Sequence, residues 1–372
     1  MLDNATLYIN ETKIKENTRI LRTNLNDESK IIAVIKANGY GCDLVQSALL
    51  CERMGIDVLA VLSIDQAIEL RKAGVKAPIL LLGVTLHSNF KYLLEYDVIQ
   101  AAVNYQYALD LAEFAKGQRK NIKVHIKVDT GLNRLGLKYH ELDHIQSIFS
   151  MEGLDVEGIY SHFVASQSYD KDDLDFSKLQ IERFNAVLDH LIISGINPRM
   201  THMQNTPSIL NFGDLGYSAV RCGMVLFGLF HPSQLEESKS MGYESVIEMR
   251  LRIAMIKEIK EGEYVGYGRE FQAKKDMTIA TISSGYVDGI MKTFTKSGGQ
   301  VIVNGTKCSI LGDIAMSQFM VDVTDVVCKP EDEVVLFGTD DQTIYDYIKH
   351  TGQTINELIS HIRYSIPRIY VK

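Results

Sequence analysis

The 372-residue chain has little of what a secreted, metal-binding or membrane-spanning protein needs. Its five cysteines, Cys42, Cys51, Cys222, Cys308 and Cys328, are odd in number and lack metal-ligand spacing. Neither a disulfide framework nor a thiolate metal site is expected, and a reducing compartment suits them. No signal peptide is read, and the longest apolar runs, such as "APILLLGV" at 77–84, are far too short to span a bilayer. Positive charge is not in excess. With 39 Lys and Arg against 47 Asp and Glu, the formal charge is -8, which argues against nucleic acid or another polyanion as partner. There is no low-complexity tract or charge block. A soluble, cytoplasmic protein with a small polar substrate is expected, standing free or as the cytoplasmic part of a larger membrane protein.

What is there is an alternation. Short runs rich in Val, Ile and Leu recur at intervals of roughly 20 to 40 residues, the spacing of strands each followed by a helix. In order they are "IIAVIKA", "DVLAVLS", "APILLLGV", "VIQAAVN", "IKVHIKVD", "LDVEGIYSHF", "RMTHMQN" and "AVRCGMVLFG", eight strand candidates between residues 31 and 228. "SIDQAIELRKAG" and "SKLQIERFNAVLDHLIISG" read as intervening helices with a serine cap and a glycine stop. Eight such units predict a closed parallel (β/α)8 barrel of the TIM type, with its chemistry at the C-terminal ends of the strands. After about residue 240, "VIEMRLRIAMIKEI", "DMTIATISSGYVDG", "GQVIVNGTKCSILGD" and "QFMVDVTDVV" alternate between Gly, Asn and Asp turns without intervening helices. The expected division is a barrel over 1–240 and a mainly β domain over 241–372, with the first residues able to pair with the second domain.

The strand ends carry polar groups that an apolar strand has no use for. Lys36 follows Ile31–Ile35 and opens a glycine-bounded turn, "KANGYG". A buried ammonium without a partner costs several kcal/mol or loses its proton, and a neutral lysine amine is a nucleophile toward aldehydes. Lys127 and Asp129 end the fifth strand, with Arg134 just beyond; His162 ends the sixth; His202, Asn205 and Thr206 end the seventh; Arg221 and Gly223 lie on the eighth. The late strand ends of such a barrel often hold a phosphate. A lysine, a phosphate cradle and an arginine together suggest pyridoxal phosphate.

At this point the chain is identified as resembling the alanine racemases over essentially its whole length. "AVIKANGYG" matches the family's cofactor-lysine motif, "VDTGLNRLG" its substrate-arginine motif, and "THMQNTPS" a variant of its phosphate loop. "VRCGMVLFG" matches the segment with the pyridine-nitrogen arginine, "YVGYGREF" the catalytic-tyrosine motif, and "SSGYVDG" and "IAMSQFMVDVTD" two stretches of the β domain. The resemblance implies that Lys36 holds pyridoxal 5'-phosphate as a Schiff base, while Tyr40, Asn205, Thr206, Gly223 and Met224 surround it near the phosphate. It implies that Arg221 faces the pyridine nitrogen, held by His202, with His162 beside the ring. Arg134 and the backbone near Met316 would bind the substrate carboxylate. Lys127 matches a lysine that is carbamylated in some members. Lys36 and Tyr267 would be the two bases, one on each face of the substrate. A head-to-tail homodimer is also implied, in which Tyr267, Tyr286 and Met316 complete the other subunit's site.

Departures bear on the substrate. Thr206 stands for a serine, Cys222 for a proline, and Ser317 for the aspartate that normally follows Met316. Counted back from "YSIPRIY", Asn356 falls where alanine racemases commonly have a tyrosine lining the pocket. An asparagine there leaves room for a hydroxymethyl group and offers it a donor and an acceptor. The same replacement is a feature of the serine racemases of vancomycin-resistance systems, whose racemase domain this chain resembles. Interconversion of L- and D-serine as well as alanine, for cell-wall precursors, is therefore expected, and an ordinary alanine racemase is the alternative. A pyridoxal-phosphate carrier protein would usually lack the β domain. A decarboxylase with both domains would be expected to set a carboxylate, not Arg221, against the pyridine nitrogen.

Overall fold

The computed structural model describes residues 4–372. Eight parallel strands close into a barrel: Lys30–Val34, Val58–Val61, Ile79–Leu81, Val98–Ala102, Ile122–Asp129, Leu154–Tyr160, Thr201–Asn205 and Ala219–Cys222. Closure comes from the last pairing with the first, Val220 opposite Ile31 and Arg221 opposite Ile32. Helices cover the outside and side chains fill the inside, so these strands are buried on both faces, which is why they read as unbroken apolar runs.

Two expectations need correction. The eighth run is a strand only as far as Cys222; Gly223 breaks it, and Met224–Phe227 form a 3-10 turn. The helix read from Ser177 begins at Lys171 instead, because Asp170 caps it by accepting from the Asp172 N–H and two further acids fill the first turn. Elsewhere the helix signals agree with the structure: Ser63 caps Ile64–Lys72, and Gly74 follows it with positive φ.

The second sheet has eight strands in the order Met277–Ile282, Phe319–Asp322, Thr306–Leu311, Gln300–Val303, Glu333–Phe337, Ile247–Ile259, Ala5–Asn10 and Arg368–Val371. Its sixth member also pairs back with its first. The first strand of the chain therefore lies within it, antiparallel to Ile247–Ile259 and parallel to Arg368–Val371. Contrary to a helix-free reading, a short helix, Thr293–Lys296, interrupts the strands, and two more, Ile344–Thr351 and Ile355–His361, come before the last strand. The last helix is opened by a capping box between Thr354 and Glu357. It packs on the turn after Lys36, where a Cβ on Gly41 would lie 3.1 Å from the Ile359 carbonyl oxygen. That contact brings Asn356 to the barrel mouth. Among the described residues no helix is long and apolar enough to cross a membrane.

Candidate active site

The turn that carries Lys36 is unusual. Ala37, Asn38, Gly39 and Tyr40 all have φ between 50° and 62°, a left-handed turn that costs roughly 1–2 kcal/mol per non-glycine residue. Surrounding contacts hold it: Asn38 Oδ1 accepts from the Leu44 N–H at 2.9 Å. A Cβ on Gly39 would stand 2.5 Å from Ser47 Oγ and 3.0 Å from its Cβ, so a side chain there would displace Ser47. The turn sends Tyr40 across to the eighth strand end, where a Cβ on Gly223 would meet its hydroxyl at 2.5 Å. Burial and the Arg134 guanidinium lower the pKa of Lys36, favouring the neutral amine that Schiff-base formation would need.

The cavity at this mouth is about 750 Å3, lined by Lys36, Tyr40, Lys127, Arg134, His162, Asn205, Thr206, Arg221, Gly223, Met224 and Asn356 among others. Four of these residues are cationic types, and among the described residues no Asp or Glu lines it. Such a site suits a ligand with two anionic groups.

Arg221 is fixed from all sides. Its Nη1 donates to His202 Nδ1 at 2.7 Å and more weakly to the His202 carbonyl; its Nη2 donates to the carbonyls of Ser161 and Met203 and to His162 Nδ1 at 3.1 Å. Among the described residues no carboxylate is its partner. Burial lowers its pKa to about 10, so it stays protonated at neutral pH. Both histidines face this cation, and burial and its charge hold them well below the usual histidine range, hence neutral. The Nε–H has no partner among the described residues, which leaves it for a ligand. His202 sits behind Arg221 and does not line the cavity.

Arg134 is held differently. Its loop is tied by Asp129, whose carboxylate accepts from the N–H groups of Gly131 and Asn133, both at 3.0 Å, and from Lys138 Nζ at 2.8 Å. The guanidinium itself is exposed and makes no hydrogen bond to a described residue, so it is free for a substrate carboxylate. Lys127 is buried, with Nζ 5.6 Å from the Tyr160 ring centre, and burial pulls its pKa to about 8. Asn205 caps the helix Thr206–Phe212, its Oδ1 accepting from the Ser208 N–H and the Ser166 hydroxyl. That leaves only its amide nitrogen for a ligand.

Besides His202, three expected residues lie outside this cavity. Tyr267, Tyr286 and Met316 occupy adjoining, exposed segments of the β domain: the Tyr286 N–H donates to the Ala315 carbonyl, and a Cβ on Gly266 would lie 3.6 Å from the Asp313 nitrogen. Sequence reasoning missed Tyr160 and His125. The Tyr160 ring stacks on His202 at 4.8 Å with 6° between planes, and its hydroxyl is buried without a partner. The signal was the alternation itself, which places residues 125, 127 and 129 on one inward face and Tyr160 two before His162.

A lysine of lowered pKa, a glycine–tyrosine cradle and a carboxylate-free arginine in a barrel mouth fit pyridoxal phosphate and define a pyridoxal-phosphate enzyme. The comparisons agree. Family models described as "Alanine racemase, N-terminal domain" and "Alanine racemase, C-terminal domain" match residues 9–231 and 246–370. The alanine racemase of Desulforamulus reducens is 33% identical over 98% of both chains. The solved alanine racemase of Clostridium difficile 630 superposes with a TM-score of 0.94 at 29% identity, covering 100% of this chain and 96% of that one. That of Bartonella henselae, described with covalently bound pyridoxal phosphate, gives 0.85 at 25% identity, covering 99% and 100%. The chain belongs to the alanine racemase family, a racemase of the isomerase class whose cofactor is pyridoxal 5'-phosphate.

Proposed function

We propose that this protein interconverts the L- and D-forms of alanine and also accepts serine, supplying D-amino acids for cell-wall precursors in the cytoplasm. The carboxylate-free Arg221 supports the racemase chemistry, and Asn356 at the cavity wall supports the wider substrate range. When bound, the cofactor acts as an electron sink that acidifies the substrate α C–H. The chain's residues do the rest. Arg134 takes the substrate carboxylate, and Lys36 Nζ accepts or returns the α-proton on one face. Arg221 would hold the pyridine nitrogen with a hydrogen bond while keeping its own proton, which would limit charge withdrawal into the ring and favour simple proton return.

The second base is Tyr267 of the partner subunit in a head-to-tail homodimer. Its exposure on the same face as Tyr286 and Met316 supports this reading, since no described residue of its own chain makes use of it. The Lys127 amine is a candidate for carbamylation, which would turn an unpaired buried cation into an acceptor for Arg134. A second reading, an alanine racemase with little serine activity, is favoured by the alanine racemase names of the relatives above.

Side-by-side chiral assays with L-serine and L-alanine test the reading. Asn356→Tyr should lower the serine-to-alanine ratio of kcat/KM by about 10- to 200-fold, the range expected when a pocket loses both volume and a polar partner. An unchanged ratio in a folded, cofactor-loaded variant would leave the second reading standing.

A further inference from the structure

Behind Arg221 the hydrogen-bond path continues. His202 Nε2 lies 2.8 Å from Nδ1 of His125, on the strand Ile122–Asp129, and both rings are buried. The direction of each hydrogen bond follows from the arginine. A guanidinium has only donors, so His202 Nδ1 must present its lone pair to Nη1. A neutral imidazole carries one N–H, which for His202 must then be on Nε2. That N–H donates to His125 Nδ1, and the His125 proton is left on Nε2. His125 lines a second cavity of about 300 Å3 at the opposite end of the barrel, together with Lys30, Asp57, Glu157 and Arg199.

The path is built rather than incidental. Gly158 lies against the His125 ring: a Cβ there would stand 2.8 Å from Cε1 and 2.9 Å from both ring nitrogens. Tyr160, two residues on, lies flat on His202 and restrains its tilt. Burial and the nearby Arg221 and Arg199 charges lower the His125 pKa to about 3, so it remains a neutral acceptor. Were His125 unable to accept, His202 would bury an unpaired N–H, and its ring could relieve this only by turning its lone pair away from Arg221.

We propose that His125 is a positioning residue for racemisation: by accepting from His202 Nε2–H it locks the tautomer that holds Arg221 on the pyridine nitrogen. The proposal rests on the racemase reading for its kinetic consequence, but its hydrogen-bond directions do not.

The test therefore has two arms. In the cofactor-free wild-type protein, 15N spectra of labelled histidine should show His202 protonated at Nε2 and unprotonated at Nδ1; the reverse pattern overturns the proposal whatever the activity. In the loaded enzyme, His125→Leu should lower kcat roughly 10- to 100-fold, as loss of an outer hydrogen-bond partner does at metal sites, with KM for alanine little changed. His125→Asn, whose amide oxygen can take the place of Nδ1, should recover most of that loss. A folded His125→Leu variant with wild-type kcat, or an Asn variant as impaired as Leu, overturns the proposal. If His125→Leu does not fold, the wild-type spectra and the Asn variant decide, with near-wild-type kcat in the Asn variant required. A wild type that racemises neither amino acid sinks the functional reading and leaves the spectral arm intact.

Discussion

Arg221 and Tyr267 are assigned to one site yet are held in opposite ways. Arg221 is 4% exposed and its guanidinium donates to two imidazoles and three carbonyls, whereas Tyr267 is 77% exposed and its hydroxyl has no partner among the described residues. The barrel mouth is lined by one chain and its arginine is fully bonded on the inner side; the β-domain face carries groups that no described residue of its own chain uses. In the proposed division, folding would preset the cofactor chemistry and assembly would supply the second base. Removing one group from each side separates the two contributions.

On the barrel side, Lys36→Ala should abolish racemisation, with a fall of roughly a thousandfold or more when a residue serves as both covalent anchor and base. Absorbance near the cofactor's visible band and borohydride trapping check it. A borohydride-reducible adduct surviving in the variant would show that another amine holds the cofactor.

On the β-domain side, Tyr267→Phe should also be nearly inactive while keeping its cofactor. Mixing it with Lys36→Ala under subunit exchange should restore activity, because each mixed dimer has one intact site and one lacking both bases. No recovery, with exchange demonstrated independently, would mean that Tyr267 does not act across the interface.

How much of this was legible in the sequence depends on whether a residue contradicts its local pattern. Lys36 and Arg221 stand out because a cation at the end of an apolar strand demands a reason, and the structure places both at the cavity. His125 and Tyr160 do not stand out. In "IKVHIKVD" and "EGIYSHF" they fit a strand, and only the closed barrel shows that one meets His202 and the other covers it. The helices Ile344–Thr351 and Ile355–His361 were missed for a related reason: they are short, and tertiary packing on the lysine turn supports the second. The eighth run misled because "GMVLFG" is apolar enough for a strand, while the Gly223 backbone turns away to admit Tyr40.

The smallest effect concerns Lys127, a buried barrel cation without a hydrogen bond or ion pair among the described residues. Burial sets its pKa near 8, against 10.5 for a free lysine. Between those values the unfolded chain keeps a proton that the folded chain has released, so this residue's contribution makes stability rise with pH from about 8 to 10.5. Below pH 8 the burial penalty is felt in full, about 3 kcal/mol at most. Lys127→Met, similar in length and without charge, should therefore be about 1–3 kcal/mol more stable than wild type at pH 7 in urea unfolding of the cofactor-free protein, and the gap should close by about pH 10.5. Comparing the two proteins across pH cancels the other lysines, tyrosines and cysteines, which titrate in both. Bicarbonate sharpens the result, because a carbamate on Nζ would convert the cation to an anion beside Arg134. A wild type that matches or exceeds the Met variant at pH 7 in bicarbonate, and falls below it when bicarbonate is removed, would show that the amine is modified in use. A gap that does not change with pH or bicarbonate would mean that Lys127 finds an ordinary solvated position, and the barrel mouth would be less closed than its geometry indicates.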